Sequence, residues 1–373
     1  MASHLLVATR KGLFTITRSR GNWEVDRVDF LGDNCPMVMH DPRHDTIVAA
    51  LSHGHFGSKM HRSEDRGATW TELGIPVYPP IPDGYEQKPH PFTGKPTEWK
   101  LQLIWALEAG GRSYPDRLWA GTIPGGLFRS DDRGETWTMI RSLWDDPRRD
   151  SWFGGGFDDA GIHSVVVDPR DNDHIAVGVS CGGVWITRDS GETWTLHGSG
   201  LRAEYMPPEN AYDLDAQDPH IVMACRDHPD VLWIQHHNGI FRSTDFGVNW
   251  TEHVCASPSS FGFAVAAHPS DPKTAWFVPA LKDEHRFPRS GEVVVTRTRD
   301  AGESFEVLRS GLPQHHAYDL VFRHALDIDE TGDTLAFGST TGNLWVTSDQ
   351  GESWHTISST LPPIYAVRFI KDV

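Results

Sequence analysis

The sequence predicts an all-β protein: seven four-stranded antiparallel blades closed into a ring, a seven-bladed β-propeller. Three observations predict it. An eight-residue phrase, Ser/Thr-x-Asp-x-Gly-x-(Thr/Ser/Asn)-(Trp/Phe), occurs six times, at Ser63–Trp70, Ser130–Trp137, Thr187–Trp194, Ser243–Trp250, Thr298–Phe305 and Thr347–Trp354. Its copies lie 49 to 67 residues apart, so the chain is a repeat array. A glycine leads into the third strand of each unit, at Gly12, Gly57, Gly126, Gly183, Gly239, Gly291 and Gly342, which counts seven units in 373 residues.

The elements follow in order. In the first unit Gly12 leads to Trp23, but Arg18 stands at the Asp position and Arg20 at the Gly position, so this copy has decayed. The run Leu5–Thr9 comes too late in the repeat to be a first strand, whereas Ile364–Phe369 has the apolar character of one. The C-terminal strand is therefore expected to complete the first blade, which leaves no long exposed edge. Later units show short β-rich runs separated by turn residues, for example Ser164–Asp168, His174–Val179 and Gly183–Ile186. Within the phrase, the Asp can accept hydrogen bonds from its own turn. The Gly permits a positive φ, and the aromatic residue plugs the space beside the turn. All three roles are structural.

The repeat runs end to end, so residues 1–373 are read as one domain. The formal net charge of −17 disfavours nucleic acid and anionic membrane as partners. No apolar run has the length of a membrane helix, and the N-terminus lacks the regions of a signal peptide. Four cysteines, Cys35, Cys181, Cys225 and Cys255, show no CxxC pairing and are expected as free thiols in a reducing cytoplasm.

The repeat register also assigns residues to the two faces of the ring. One face carries the phrase turns. The other carries the second-to-third strand turns and the connections between blades, and it collects His53, His55, His163, His220, His236, His237, His285, His315 and His316 out of 21 histidines. The connections at 76–100, 141–162 and 201–219 are longer than a propeller needs, and long loops on a rigid scaffold build binding sites. His53, His163, His220, His237 and His316 are therefore candidate ligands for one divalent metal (zinc, manganese or iron). His163, His237 and His316, with Glu98 and Asp159, are the candidate acid–base groups. Arg10, Lys100 and Arg286 are candidate anion binders, and Trp99 and Phe261 candidate stacking surfaces for a small-molecule substrate. The pairs Asp158–Asp159, Glu204/Glu209 and Asp283–Glu284 are candidate glycosidase carboxylates, whose separation the sequence does not give.

The repeated phrase is the Asp box, or bacterial neuraminidase repeat, and the chain resembles Asp-box propellers of the sialidase-like, glycosyl-hydrolase-repeat group over nearly its whole length. Phrases such as His236-His237-Asn238-Gly239 and Phe337-Gly-Ser-Thr-Thr341-Gly look typical of that group. The resemblance implies boxes on the hairpin between third and fourth strands, away from an active site. It stops where sialidase chemistry is carried: the Arg-Ile-Pro-like phrase before the first box is replaced by Ala8-Thr9-Arg10-Lys11-Gly12, and a Tyr nucleophile backed by Glu has no place. Xyloglucan-active endoglucanases pair two such propellers, and the photosystem II assembly factor is a single one acting as a scaffold. Two functions follow as expectations. One is a cytoplasmic hydrolase or lyase of a small carbohydrate-like or carboxylated substrate at the channel mouth opposite the boxes. The other is a non-catalytic interaction propeller. An enzyme should present converging polar groups with displaced pKa values; a scaffold should present an open apolar patch.

Overall fold

The computed structural model describes residues 2–87, 89, 94–154 and 157–370. They form seven four-stranded antiparallel sheets arranged as blades. The first blade is built from both ends of the chain: Ile364–Phe369 pairs with His4–Thr9, which continues to Gly12–Ser19 and Asn22–Asp29. The closing register sets Leu5 opposite Phe369 and Val7 opposite Val367. The inner strands of blades two to seven are Asn34–Asp41, Leu103–Ala109, Ile162–Val167, Pro219–Cys225, Gly262–Ala267 and Leu326–Ile328. Neighbouring inner strands pack side by side around a central channel. Large aromatic side chains fill the layers between blades, with Trp119, Trp185, Trp233, Trp276 and Trp345 fully buried.

Six boxes sit between third and fourth strands and share one bonding scheme. In the first, the Gly67 N–H donates to Ser63 Oγ at 2.6 Å, and Thr69 donates its N–H and hydroxyl to the two Asp65 oxygens at 2.8 and 2.7 Å. The chain reverses through two residues of positive φ, 55° at Arg66 and 90° at Gly67. The second of these needs a glycine, and every box supplies one. The decayed copy solves the reversal differently. Ser19 pairs directly with Asn22, and the two-residue turn between them has φ of 51° at Arg20 and 89° at Gly21. This turn has positive φ at both central residues, like the primed hairpin turns that match strand twist, so it dispenses with the Asp.

The box bonds lead us to expect an acid-sensitive fold. The Thr69 hydroxyl and N–H hold the Asp65 carboxyl down at about 2, against an ordinary 3.8. At Asp300 the Ser304 hydroxyl and N–H act the same way. At Asp132, Asp189, Asp245 and Asp349 partial burial pushes upward, yet the hydrogen bonds still leave each carboxyl lowered. A carboxyl depressed on folding adds stability above its unfolded pKa and loses it as pH falls through the folded one. The melting temperature is therefore expected to drop between about pH 4 and pH 2. An Asp189→Asn variant should show a shallower drop over that window; an unchanged slope would remove the boxes as its source.

Candidate functional site

The inner strands share a local irregularity that builds the site. Near the start of the strands in blades three, four and five, one residue is left without a pairing partner: Trp105, His163 and His220. In blade six the unpaired pair is Phe263 and Ala264. Such bulges re-aim side chains. Here they are aimed at one another: Trp105 meets His163 edge-on at 5.5 Å, and His220 stacks on Phe263 at 4.5 Å. Arg323, from the connection into blade seven, lies over both Trp105 and Phe263, at 4.7 and 5.2 Å. This ring of side chains crosses the channel. On the box side of it, a channel cavity of about 390 Å³ reaches inward to His163, Ser164 and His324.

On the other side lies the polar centre. The Asp218 carboxylate is buried just before the blade-five inner strand. Its Oδ2 lies 3.2 Å from His237 Nδ1 and 3.5 Å from His220 Nε2, and its Oδ1 accepts the Cys181 N–H at 3.2 Å. The His237 N–H donates to the Asp218 carbonyl at 3.0 Å, which ties the second-to-third turn to the strand start. His220 donates from Nδ1 to the Gly262 carbonyl at 2.6 Å. Among the described residues, Asp218, His220 and His237 are one group whose ligand atoms all lie within 4.8 Å of one another. Tyr205 packs on His237 at 4.8 Å, and Phe261 meets His237 and His220 edge-on at 5.9 and 5.7 Å. Arg286 sits over Phe263 at 5.4 Å and bonds Asp283, whose Oδ2 is 3.9 Å from His237 Nε2.

Burial and charge displace the proton affinities here. Burial pushes the Asp218 carboxyl upward, but His220, His237 and Arg323 outweigh it and hold the group well below the carboxylate range. Burial, reinforced by Arg323 and His324, pushes the His163 imidazole well below its ordinary range. It lowers His220 as well, against the pull of Asp218, and takes His236 down to about 3. Burial pulls the Arg323 guanidinium down to about 10 against the attraction of Asp218. Burial and then Asp218 push the Cys181 thiol well up, so it is a poor nucleophile. An ionised Asp218 carboxylate thus lies close to His163, His220 and His236, whose buried imidazoles are biased toward neutrality.

Of the residues singled out from sequence, His220, His237, Phe261 and Arg286 meet at this centre. His163 stands in the ring beneath it, close enough to sense Asp218 and His220. The others are placed elsewhere. His53 lies in blade two, 3.5 Å from Asp33, and His316 is exposed in a left-handed turn. Asp159 accepts from Thr97 and Gln102 at 2.6 and 2.7 Å and latches the connection into blade three. Glu98 and Lys100 are exposed on that connection, and Trp99 between them packs on Tyr85 and Trp144. Arg10 is exposed in the first-blade turn. Asp218, Arg323, Trp105 and Phe263 were not singled out. The available signal was position: Trp105, His163, His220 and Phe263 all fall one to two residues into an inner strand, and Asp218-Pro219-His220 spaces an acid and an imidazole two apart.

The BNR-Asp box repeat family matches residues 127–140 and 240–254, a third-strand-and-box segment in each of blades three and five. The chain is a seven-bladed Asp-box propeller. The propeller is similar in fold to the GH74 xyloglucanase from Xanthomonas campestris, with a TM-score of 0.62 at 16% identity over 100% of this chain and 53% of that one. It is also similar to YCF48 bound to D1 peptide, with a TM-score of 0.54 at 12% identity over 89% of this chain and 84% of that one. In sequence, an oligoxyloglucan-reducing end-specific xyloglucanase of Emericella nidulans is 39% identical over 80 residues, 21% of this chain. A probable enzyme of the same description from Neosartorya fischeri is 31% identical over 133 residues, 35% of this chain. The matched segments span 9% and 13% of these two relatives.

Proposed function

We propose that the propeller is a hydrolase or lyase acting on a small carbohydrate-like or carboxylated substrate at the channel mouth opposite the boxes. One observation carries this reading: a buried, ionised carboxylate, Asp218, faces two imidazoles and lies close to a buried guanidinium, Arg323. Converging polar groups with displaced proton affinities mark a chemical centre rather than a flat docking surface. Arg286 and Arg323 flank the Phe263 ring, which suits a substrate with an anionic end and a face that stacks. The partial likeness to xyloglucanases favours a sugar framework. Four free cysteines fit a reducing compartment, the cytoplasm in this reading.

Turnover tests the proposal. Neutral oligosaccharides and their carboxylated counterparts are offered to the purified chain, and release of product is followed. Carboxylated substrates are expected to be consumed, and Arg286→Gln should raise KM about tenfold with kcat kept, since a ground-state anion contact is lost. Absence of turnover across both classes would sink the enzymatic reading. The competing reading, a peptide-binding propeller, draws on the YCF48 likeness and on exposed Leu31 and Phe56 at this end of the ring. It predicts binding without turnover.

A further inference from the structure

We infer that Asp218, His220 and His237 form a divalent-metal site of the two-imidazole, one-carboxylate kind. The Gly262 carbonyl can only accept, so the 2.6 Å contact places a proton on His220 Nδ1. In the neutral ring Nε2 then carries a bare lone pair, and it faces Asp218 Oδ2 at 3.5 Å. Two acceptors turned toward one another inside a protein call for a cation between them, a proton or a metal ion. His237 brings a second imidazole to the same carboxylate oxygen. Its Nδ1 lies 3.2 Å from the same Oδ2, within ligand distance of the His220 Nε2 lone pair, and its Nε2 is 3.9 Å from the Asp283 carboxylate, too far for a hydrogen bond.

An imidazole bound to a metal through one nitrogen, with the other donating to a carbonyl or carboxylate, is the usual arrangement around metal-ligating histidines. Here His220 has such an outer partner in the Gly262 carbonyl. The His163 ring, buried in the layer beneath, keeps Nε2 without a hydrogen-bond partner, so the neighbourhood holds a further nitrogen not committed to the protein. Nitrogen and carboxylate ligands suit Zn²⁺, Mn²⁺ or Fe²⁺. Three protein ligands leave positions for water or substrate, as in catalytic sites. The inference deepens the active-site reading by supplying a Lewis acid beside Arg286 and Arg323.

The test is calorimetric titration of the chelator-treated full chain with Zn²⁺ and, separately, Mn²⁺. One ion per chain is expected. His237→Ala should weaken it about a hundredfold or more. His237 is partly exposed and its variant should fold, which circular dichroism checks; His220→Ala serves as the second ligand variant. No binding of either ion by the wild type, or binding unchanged in His237→Ala, would overturn the site. The two readings separate cleanly: an ion bound without turnover keeps the metal site and sinks the enzyme, and turnover by a chain that binds neither ion does the reverse.

Discussion

Asp218→Asn is expected to lower turnover by about 10²–10⁴-fold while leaving the propeller folded. The substitution keeps the shape of the side chain and removes its charge. An amide oxygen can still accept from the Cys181 N–H, but the amide nitrogen then faces His220 and His237, where a carboxylate oxygen stood. Arg323 loses the anion that stabilises its buried charge. A stability loss of about 1–3 kcal/mol is expected from the rearranged buried hydrogen bonds, and Asp218→Ala should cost more, because it leaves the Cys181 N–H without this acceptor and removes a charge that attracts Arg323. Parallel measurement of kcat and melting temperature checks this. A variant that keeps wild-type turnover would remove Asp218 from the chemistry and leave it a structural clamp.

Deletion of residues 364–373 is expected to abolish cooperative folding. The strand Ile364–Phe369 is the innermost strand of the first blade, and its removal exposes the edge of His4–Thr9 and the flank of blade seven. Ile364, Val367, Phe369 and Ile370 are all buried. Each is worth about 1.5–3 kcal/mol of transfer free energy. Together they match the ~5–15 kcal/mol by which a domain is stable at all. The expected result is loss of the sharp thermal transition and exposure of apolar surface to a hydrophobic dye. A separate peptide carrying residues 362–373, added in excess, should restore part of the transition. A truncated chain that still melts sharply would show that the ring tolerates an open blade.

The boxes were legible because their requirements are local. A Ser or Thr, an Asp and a Gly at fixed spacing satisfy one turn's own hydrogen bonds and its positive φ, whatever the rest of the chain does. Spacing between such turns then counts blades, and the apolar character of Ile364–Phe369 reveals the closure. The face assignment was equally local, since turn order alternates along each blade. It gathered His220, His237, Phe261 and Arg286 on one end of the ring, where the structure brings them together.

Which of that end's residues meet was decided only in three dimensions. Asp218, Arg323 and Phe263 belong to the connections and strands of three different blades, and their proximity depends on where the inner strands bulge. A bulge shifts a side chain by one position in register, a displacement that no composition or period records. His53 and His316 carry the same chemistry as His237, yet they sit in turns that open elsewhere on the ring. The sequence alone thus determined the number of blades, their closure and the face on which His220 and His237 gather, because each rests on contacts within a few residues. The tertiary structure decided the site itself, because its carboxylate, imidazoles and guanidinium are joined only by the closing of the ring.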